Sequence, residues 1–150
     1  MINDGMMSSA TGEWATPRDL FDALDECYSF QLDAASTKDN ALCGVHYDKD
    51  DDGLSQVWAP HRTWVNPPYG RTVGLWVDKA IEERAKGALV VMLLPARTDT
   101  KWFHRCRDEG EIVFLRGRLR FGGATNSAPF PSMVVTFRPT PDLSRWVDVG

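Results

Sequence analysis

The four residues Asn66-Pro67-Pro68-Tyr69 come directly after the stretch Arg62–Val65 and combine a side-chain amide, two prolines and a phenol ring. Two successive prolines cannot continue a sheet, so a strand over 62–65 must stop there. Each proline fixes its own φ, and Pro67 is also held extended by the proline after it. The turn is therefore rigid, and its carbonyls are not drawn into a helix. This set of groups suits methyl transfer to an amino nitrogen conjugated with a base. The lone pair of such a nitrogen is delocalised into the ring, so it is a weak nucleophile. Two acceptors set against its two hydrogens pull it towards a tetrahedral shape and free the pair. The Asn66 side-chain oxygen supplies one acceptor and the Pro67 carbonyl the other, and Tyr69 offers a flat face on which an extruded base can stack. Rate then comes from positioning and electrostatics, with no covalent intermediate. A plain proline-rich turn, with Asn66 as turn former and Tyr69 as packing, also uses these residue types. The strand before the turn and the helix after it favour the chemical reading.

Other groupings carry less. Asp48-Lys49-Asp50-Asp51-Asp52-Gly53 matches the start of a calcium loop, but the twelfth position, which needs a glutamate, is Ala59. An acidic surface turn is expected there, and no metal. Cys43 and His46 have ligand-like spacing with nothing nearby to complete a tetrahedral set. The three cysteines, Cys27, Cys43 and Cys106, are odd in number and form no C-x-x-C pair, which argues against a disulfide framework and for a reducing compartment. The net charge is −4, unusual for a protein that meets nucleic acid, but it is unevenly spread. Ten acids stand against Lys38 and Lys49 between Asp19 and Asp52, whereas seven bases stand against four acids between Arg97 and Arg120. Arg97, Lys101, Arg118 and Arg120 are the candidates for phosphate contact. The rival expectation is that they are surface charges paired with the acidic half.

These groups need elements to hold them. Thr16 caps and Pro17 opens a helix whose buried face is Leu20, Phe21, Leu24 and Tyr28. Phe30–Ala34 reads as a short strand carrying the carboxylate of Asp33, and Val45–Tyr47 as another. After the Asn66 turn, 72–86 is a helix capped by Thr72, with Leu75, Trp76, Ala80 and Ile81 inward and Gly87 at its end. Ala88–Leu94, closed by Pro95, is apolar throughout, as expected of a central strand covered on both faces. A helix over Thr100–Glu109, stopped by Gly110, precedes strands over Glu111–Leu115 and Met133–Arg138. Strands alternating with helices give an open α/β sheet, and ligands bind such sheets at the carboxyl ends of the strands. That rule places Asp33 and 66–69 on one edge. With 150 residues the chain suits one domain: a polar lead-in over 1–12, the domain over 13–140 and a tail over 141–150. No run is apolar enough to span a membrane, and 1–12 lacks the pattern of a signal peptide, so a cytoplasmic protein is expected.

The chain resembles the phage DNA N6-adenine methyltransferases, Dam-like enzymes with an N-P-P-Y turn, from about Trp14 to Phe137. The likeness lies in Trp14-Ala15-Thr16-Pro17, Leu32-Asp33-Ala34-Ala35, Asp52-Gly53-Leu54, Asn66-Pro67-Pro68-Tyr69, Leu94-Pro95-Ala96-Arg97-Thr98, Trp102-Phe103 and Gly117-Arg118-Leu119-Arg120-Phe121. Several short motifs in order are far more specific than one. The resemblance implies a Rossmann-like S-adenosylmethionine-dependent methyltransferase fold of reduced size, mostly parallel, with helices on both faces. It implies methylation of the adenine N6 amino group in DNA, with the target base flipped out. Trp14, Thr16 and Pro17 resemble the N-terminal cofactor-binding segment; Asp33, Ala34 and Ala35 the first cofactor loop, near the methionine part. Asp52 and Leu54 resemble the segment that holds the cofactor adenine. Asn66, Pro67, Pro68 and Tyr69 resemble the catalytic tetrad, with Asn66 also beside the cofactor. Ala34-Ala35-Ser36-Thr37 stands where many methyltransferases have a glycine-rich loop, and Asp48 is the candidate acid for the cofactor ribose.

An N-P-P-Y turn also occurs in enzymes that methylate a glutamine side chain or a guanine amino group, because the same planar nitrogen must be activated. A cofactor- or nucleic-acid-binding module without catalysis is the rival of another class, and the intact Asn66 argues against it. The chain between the Asn66 turn and Pro95 is short, as is the Gly122–Ser132 loop, which leaves no room for a separate reader. Low sequence specificity, or a very short site read by loops, is therefore expected, from a monomer or homodimer.

Overall fold

The computed structural model describes residues 14–140; the lead-in over 1–12 and the tail over 141–150 lie outside the described residues. The elements run α1 (Arg18–Tyr28), β1 (Leu32–Asp33), β2 (Val45–His46), a 3-10 turn (Gly53–Ser55), β3 (Arg62–Val65), α2 (Val73–Ala85), β4 (Leu89–Pro95), α3 (Lys101–Glu109), β5 (Glu111–Phe114) and β6 (Ser132–Phe137). The strands form one six-stranded sheet in the order β2-β1-β3-β4-β6-β5. The first four are mutually parallel, β6 runs antiparallel to β4, and β5 runs antiparallel to β6 and so in the direction of β4.

Strand register assigns the faces. Trp64, Val91 and Thr136 are paired in one row across β3, β4 and β6, and Val65, Met92 and Val135 in the next, so the two rows point to opposite faces. Helix α1 covers the first face: Phe21 meets the Trp64 ring edge-on at 5.6 Å, and Tyr28 shares a hydrogen bond with Thr136. Helix α3 covers the second: Phe103 stacks on Phe114, and Gly110 lies against Val135 and Phe137. Helix α2 packs between α3 and β4. Strand β4 is the spine, buried from Val90 to Pro95, as its unbroken apolar sequence requires. Each buried Val, Leu or Met there contributes about 1.5–3 kcal/mol relative to exposure. At the edge of the sheet, β5 leaves Val113 and Phe114 exposed.

Four local expectations are corrected. Thr16 does not cap α1. Pro17 is the cap residue and has no side-chain group to cap with, and the Thr16 hydroxyl accepts from Asn66. The first strand is shorter than Phe30–Ala34. Ser29, at φ 51°, closes α1 in the left-handed region, and the Phe30 amide donates to Asp25 Oδ1, so both residues are spent ending the helix. In α2 the inward stripe is Val73, Trp76, Val77, Ala80 and Glu83, and Leu75 is exposed. Thr72 makes no side-chain cap there, and the stripe keeps helical spacing from the first residue of the helix. Thr100 caps α3, accepting from the Phe103 amide at 3.2 Å.

Candidate active site

A cavity of about 520 Å3 opens where β1 and β3 end, in the size range of small-molecule sites. Its lining joins distant segments: Trp14 and Thr16 ahead of α1, Asp33 at the end of β1 with Ala34 to Leu42 after it, Asp48 to Asp50 with Asp52 and Gly53 after β2, Asn66 to Pro68 after β3, and Trp76 of α2. Of the residues singled out from sequence, Trp14, Thr16, Asp33, Ala34, Ala35, Asp48, Asp52, Asn66, Pro67 and Pro68 all line it. Pro17, Leu54 and Tyr69 do not. Pro17 serves the start of α1, where its carbonyl accepts from the Phe21 amide, and Leu54 packs half-buried against the core beside Gly53.

Asn66 is fixed by its nitrogen. Nδ2 donates to the Trp14 carbonyl and to Thr16 Oγ1. A backbone carbonyl can only accept, so the amide cannot turn its oxygen that way. Among the described residues Oδ1 is left buried with no hydrogen-bond partner. An unpartnered buried acceptor is costly, and one in a residue that lines a cavity is placed where a donor from a bound molecule can complete it. Trp64 also lines the cavity and has a buried, unpartnered indole Nε1.

Tyr69 is placed otherwise than expected. Its ring is only 8% exposed, meeting Phe130 and Phe121 edge-on, and its hydroxyl donates to the Leu93 carbonyl at 3.0 Å. In this geometry the phenol ties the Asn66 turn to β4. Buried in this way, the ring offers no open face to a base in this geometry. The aromatic cluster also takes in Trp14, whose ring lies 5.3 Å from both phenylalanines.

Asp33, 3% exposed, receives the Leu42 amide on Oδ2 and the Ala35 amide on Oδ1, so the loop after β1 folds around its carboxyl. Burial pushes its pKa up to about 6, the two amides and nearby His46 opposing only part of that rise. Asp48 Oδ1 accepts from the amides of Asp50 and Asp51, so one of its oxygens is committed to its own turn. Asp51 Oδ2 accepts from the Asp48 amide in return, and among the described residues no group of three or more His, Cys, Asp or Glu is arranged to hold a metal ion.

Gly53 is a wall residue that the sequence shows only as the middle of Asp52-Gly53-Leu54. A Cβ there would sit 2.1 Å from the Ala34 carbonyl oxygen, so the two cavity segments touch through bare backbone. Gly53→Ala is expected to destabilise the protein by about 1–3 kcal/mol through this overlap. Urea unfolding checks it, and an unchanged midpoint would show that the two loops are not held together.

The four expected phosphate contacts, Arg97, Lys101, Arg118 and Arg120, are outside the cavity and exposed. They follow the ends of β4 and β5, on the edge of the sheet where the cavity opens. Arg71, after β3, and Arg116 belong to the same set. Among the described residues none of these six has a carboxylate within salt-bridge distance, whereas Arg84, Arg105, Arg107 and Arg138 are paired. The rival expectation of pairing with the acidic half is not met for the four. Arg97 lies instead over the Phe130 ring at 5.9 Å.

A family model described as DNA N-6-adenine-methyltransferase (Dam) matches residues 5–145. A protein of Escherichia phage T1 named DNA N-6-adenine-methyltransferase is 35% identical over 109 residues, covering 71% of this chain and 45% of the relative. A protein of the same name from Haemophilus phage HP1 (strain HP1c1) is 29% identical over 135 residues, covering 84% of this chain and 78% of the relative. The chain thus matches less than half the length of the T1 protein. The family match takes in both the cavity and the turn that presents Asn66, and on that match the chain belongs to the DNA N-6-adenine-methyltransferase (Dam) family.

Proposed function

We propose that the protein transfers the methyl group of S-adenosylmethionine to the N6 amino group of adenine in DNA. The observation that carries this reading is the Asn66 amide: its nitrogen is fully engaged, and its oxygen is a buried acceptor without a donor, at the end of a strand beside a cavity of cofactor size. Asn66 Oδ1 and the Pro67 carbonyl accept the two amino hydrogens of the target base and hold its nitrogen in a nucleophilic shape. Because the Asn66 amide is already fixed, little reorganisation is left for the reaction.

The cavity fits the cofactor. Asp33 suits the cationic methionine part, and Asp48 and Asp52 border the same space with hydrogen-bond acceptors for hydroxyl and amino groups. When bound, S-adenosylmethionine supplies an electrophilic methyl group on its sulfonium. Four parallel strands, with an antiparallel strand between the fourth and the edge, support reading the sheet as a reduced Rossmann-like methyltransferase sheet. The position of the cavity at its strand ends agrees with that. Arg97, Lys101, Arg118 and Arg120 take the DNA phosphates, joined by Arg71 and Arg116. Among the described residues no helix is long and apolar enough to cross a membrane.

Purified protein with unmethylated DNA and radiolabelled S-adenosylmethionine tests the proposal. Label in N6-methyladenosine is expected, and label only in protein or RNA, or none, would overturn it.

Asp33 gives the cofactor reading a signature independent of turnover. The folded protein holds a proton on Asp33 up to about pH 6, whereas the unfolded chain releases it near 3.8. Its contribution to stability is therefore present below 3.8 and lost as pH rises through 6. A cationic ligand needs the ionised carboxylate, so its affinity moves the other way. Calorimetric affinity for S-adenosylmethionine is expected to weaken up to about tenfold per pH unit below 6 and to flatten in Asp33→Asn. An affinity in the wild-type protein that does not change between pH 5 and 7 would separate Asp33 from the ligand.

A further inference from the structure

We propose that the tip of the β5–β6 connection, Thr125, Asn126 and Ser127, reads the DNA bases beside the target and sets which adenines are methylated. This rests on the proposed function and names the part of the chain that would supply its specificity.

The tip stands on a fixed stalk. The connection goes out through Phe121, which is 2% exposed, and returns through Phe130; the two rings lie 6.0 Å apart and both touch Trp14 and Tyr69. The Gly122 amide donates to the Ala15 carbonyl, and that of Ala128, itself buried, donates to Leu119 at 2.7 Å. Tyr69 belongs to the catalytic turn, and the Trp14 carbonyl holds the Asn66 amide. The stalk is thus built on the same groups that set Asn66 in place.

What the stalk carries is polar and uncommitted. Gly123 turns the chain at φ 82°. Thr125, Asn126 and Ser127 beyond it are exposed, and the described structure gives their side chains no hydrogen-bond partner. An amide can pair with both N6 and N7 of an adenine, and hydroxyls serve as donor or acceptor to either kind of base edge. From Leu115 to Pro131 there is no acidic residue, while Arg116, Arg118 and Arg120 stand on the outgoing limb. Phosphate contacts by these arginines fix orientation without reading sequence, which leaves the reading to the polar tip between the anchors.

The test uses the full chain and a pool of duplexes with an adenine flanked by randomised bases. Methylated positions are sequenced, and binding by the same pool is measured separately. The wild-type protein is expected to prefer some flanks. Asn126→Ala, and the combined Thr125→Ala/Asn126→Ala/Ser127→Ala variant, should flatten that preference by about fivefold to a hundredfold at one or two positions. Arg118→Ala should weaken all sequences alike and reduce the salt dependence of binding. Calorimetric affinity for S-adenosylmethionine should be unchanged in the tip variants, which serves as their folding control. A wild-type protein indifferent to flanks, or tip variants that keep its profile or lose all flanks equally, would overturn the proposal. The binding arm separates the two readings: a flank preference in binding that the tip variants lose, without any N6-methyladenine formed, supports the reader and overturns the proposed reaction.

Discussion

Replacing Asn66 with alanine is expected to lower the methyl-transfer rate by about 10²–10³-fold, the usual cost of removing one preorganised electrostatic contact to reacting atoms. The side chain does two jobs with two atoms, and the variants separate them. Nδ2 ties the Asn66 turn to Trp14 and Thr16, and Oδ1 is the unpartnered acceptor. Asn66→Ala removes both, so it also costs about 1 kcal/mol of stability per lost hydrogen bond. Asn66→Asp keeps an acceptor but sets a carboxylate oxygen against the Trp14 carbonyl, where no proton joins them. It should lose less rate than alanine and at least as much stability. Thr16→Val removes one of the two acceptors that orient the amide and should cost about tenfold in rate, as a positioning defect. Single-turnover rates on duplex DNA, with unfolding midpoints alongside, read the two effects separately. A folded Asn66→Ala protein that turns over at the wild-type rate would remove Asn66 from the reaction.

The part of the site legible in sequence is the part with strong backbone consequences. Two adjacent prolines must end a strand, so the position of Asn66 at a strand end followed from covalent geometry alone. The apolar run of β4 likewise had one reading, a strand covered on both faces. The packing of Tyr69 was not legible because a ring beside an active turn looks the same in sequence whether it is a platform or a strut. Its burial depends on Phe121 and Phe130, more than fifty residues further along the chain. Thr16 misled in a similar way: a hydroxyl next to a helix start is a good cap, yet tertiary contact gave it to Asn66 instead. Gly53 was hidden because close backbone approach leaves no periodic signal. The pairing state of the arginines is also a property of three dimensions, since sequence shows how many acids there are but not which bases they reach.

Glu83 shows the same limit at its sharpest, and its replacement by alanine is expected to lower stability on the order of 3 kcal/mol. A glutamate in a helix reads as surface charge, yet Glu83 falls on the inward stripe of α2 and is fully buried. Its oxygens divide the work. Oε1 accepts from the amides of Trp58 and Ala59 at 2.6 and 3.0 Å, and Oε2 pairs with Lys86 and Lys79 at 3.0 and 3.4 Å. Burial alone would raise its pKa, but those amides, Lys86 and Lys79 outweigh burial and hold it at about 2. Its contribution to stability is thus present above the ordinary value of 4.5 and lost as pH falls towards 2. Glu83→Gln keeps an oxygen for both amides and loses only the lysine side. It should therefore cost less than alanine and flatten the acid-side fall in urea-unfolding free energy between pH 4.5 and 2. Alanine should also reach the site, because the Trp58 indole donates to the Gly53 carbonyl at 2.9 Å and Gly53 abuts Ala34. S-adenosylmethionine affinity should accordingly weaken in Glu83→Ala and be largely kept in Glu83→Gln. Equal stability losses in the two variants would show that the lysines, not the amides, are what Glu83 serves, and would detach it from the cavity wall.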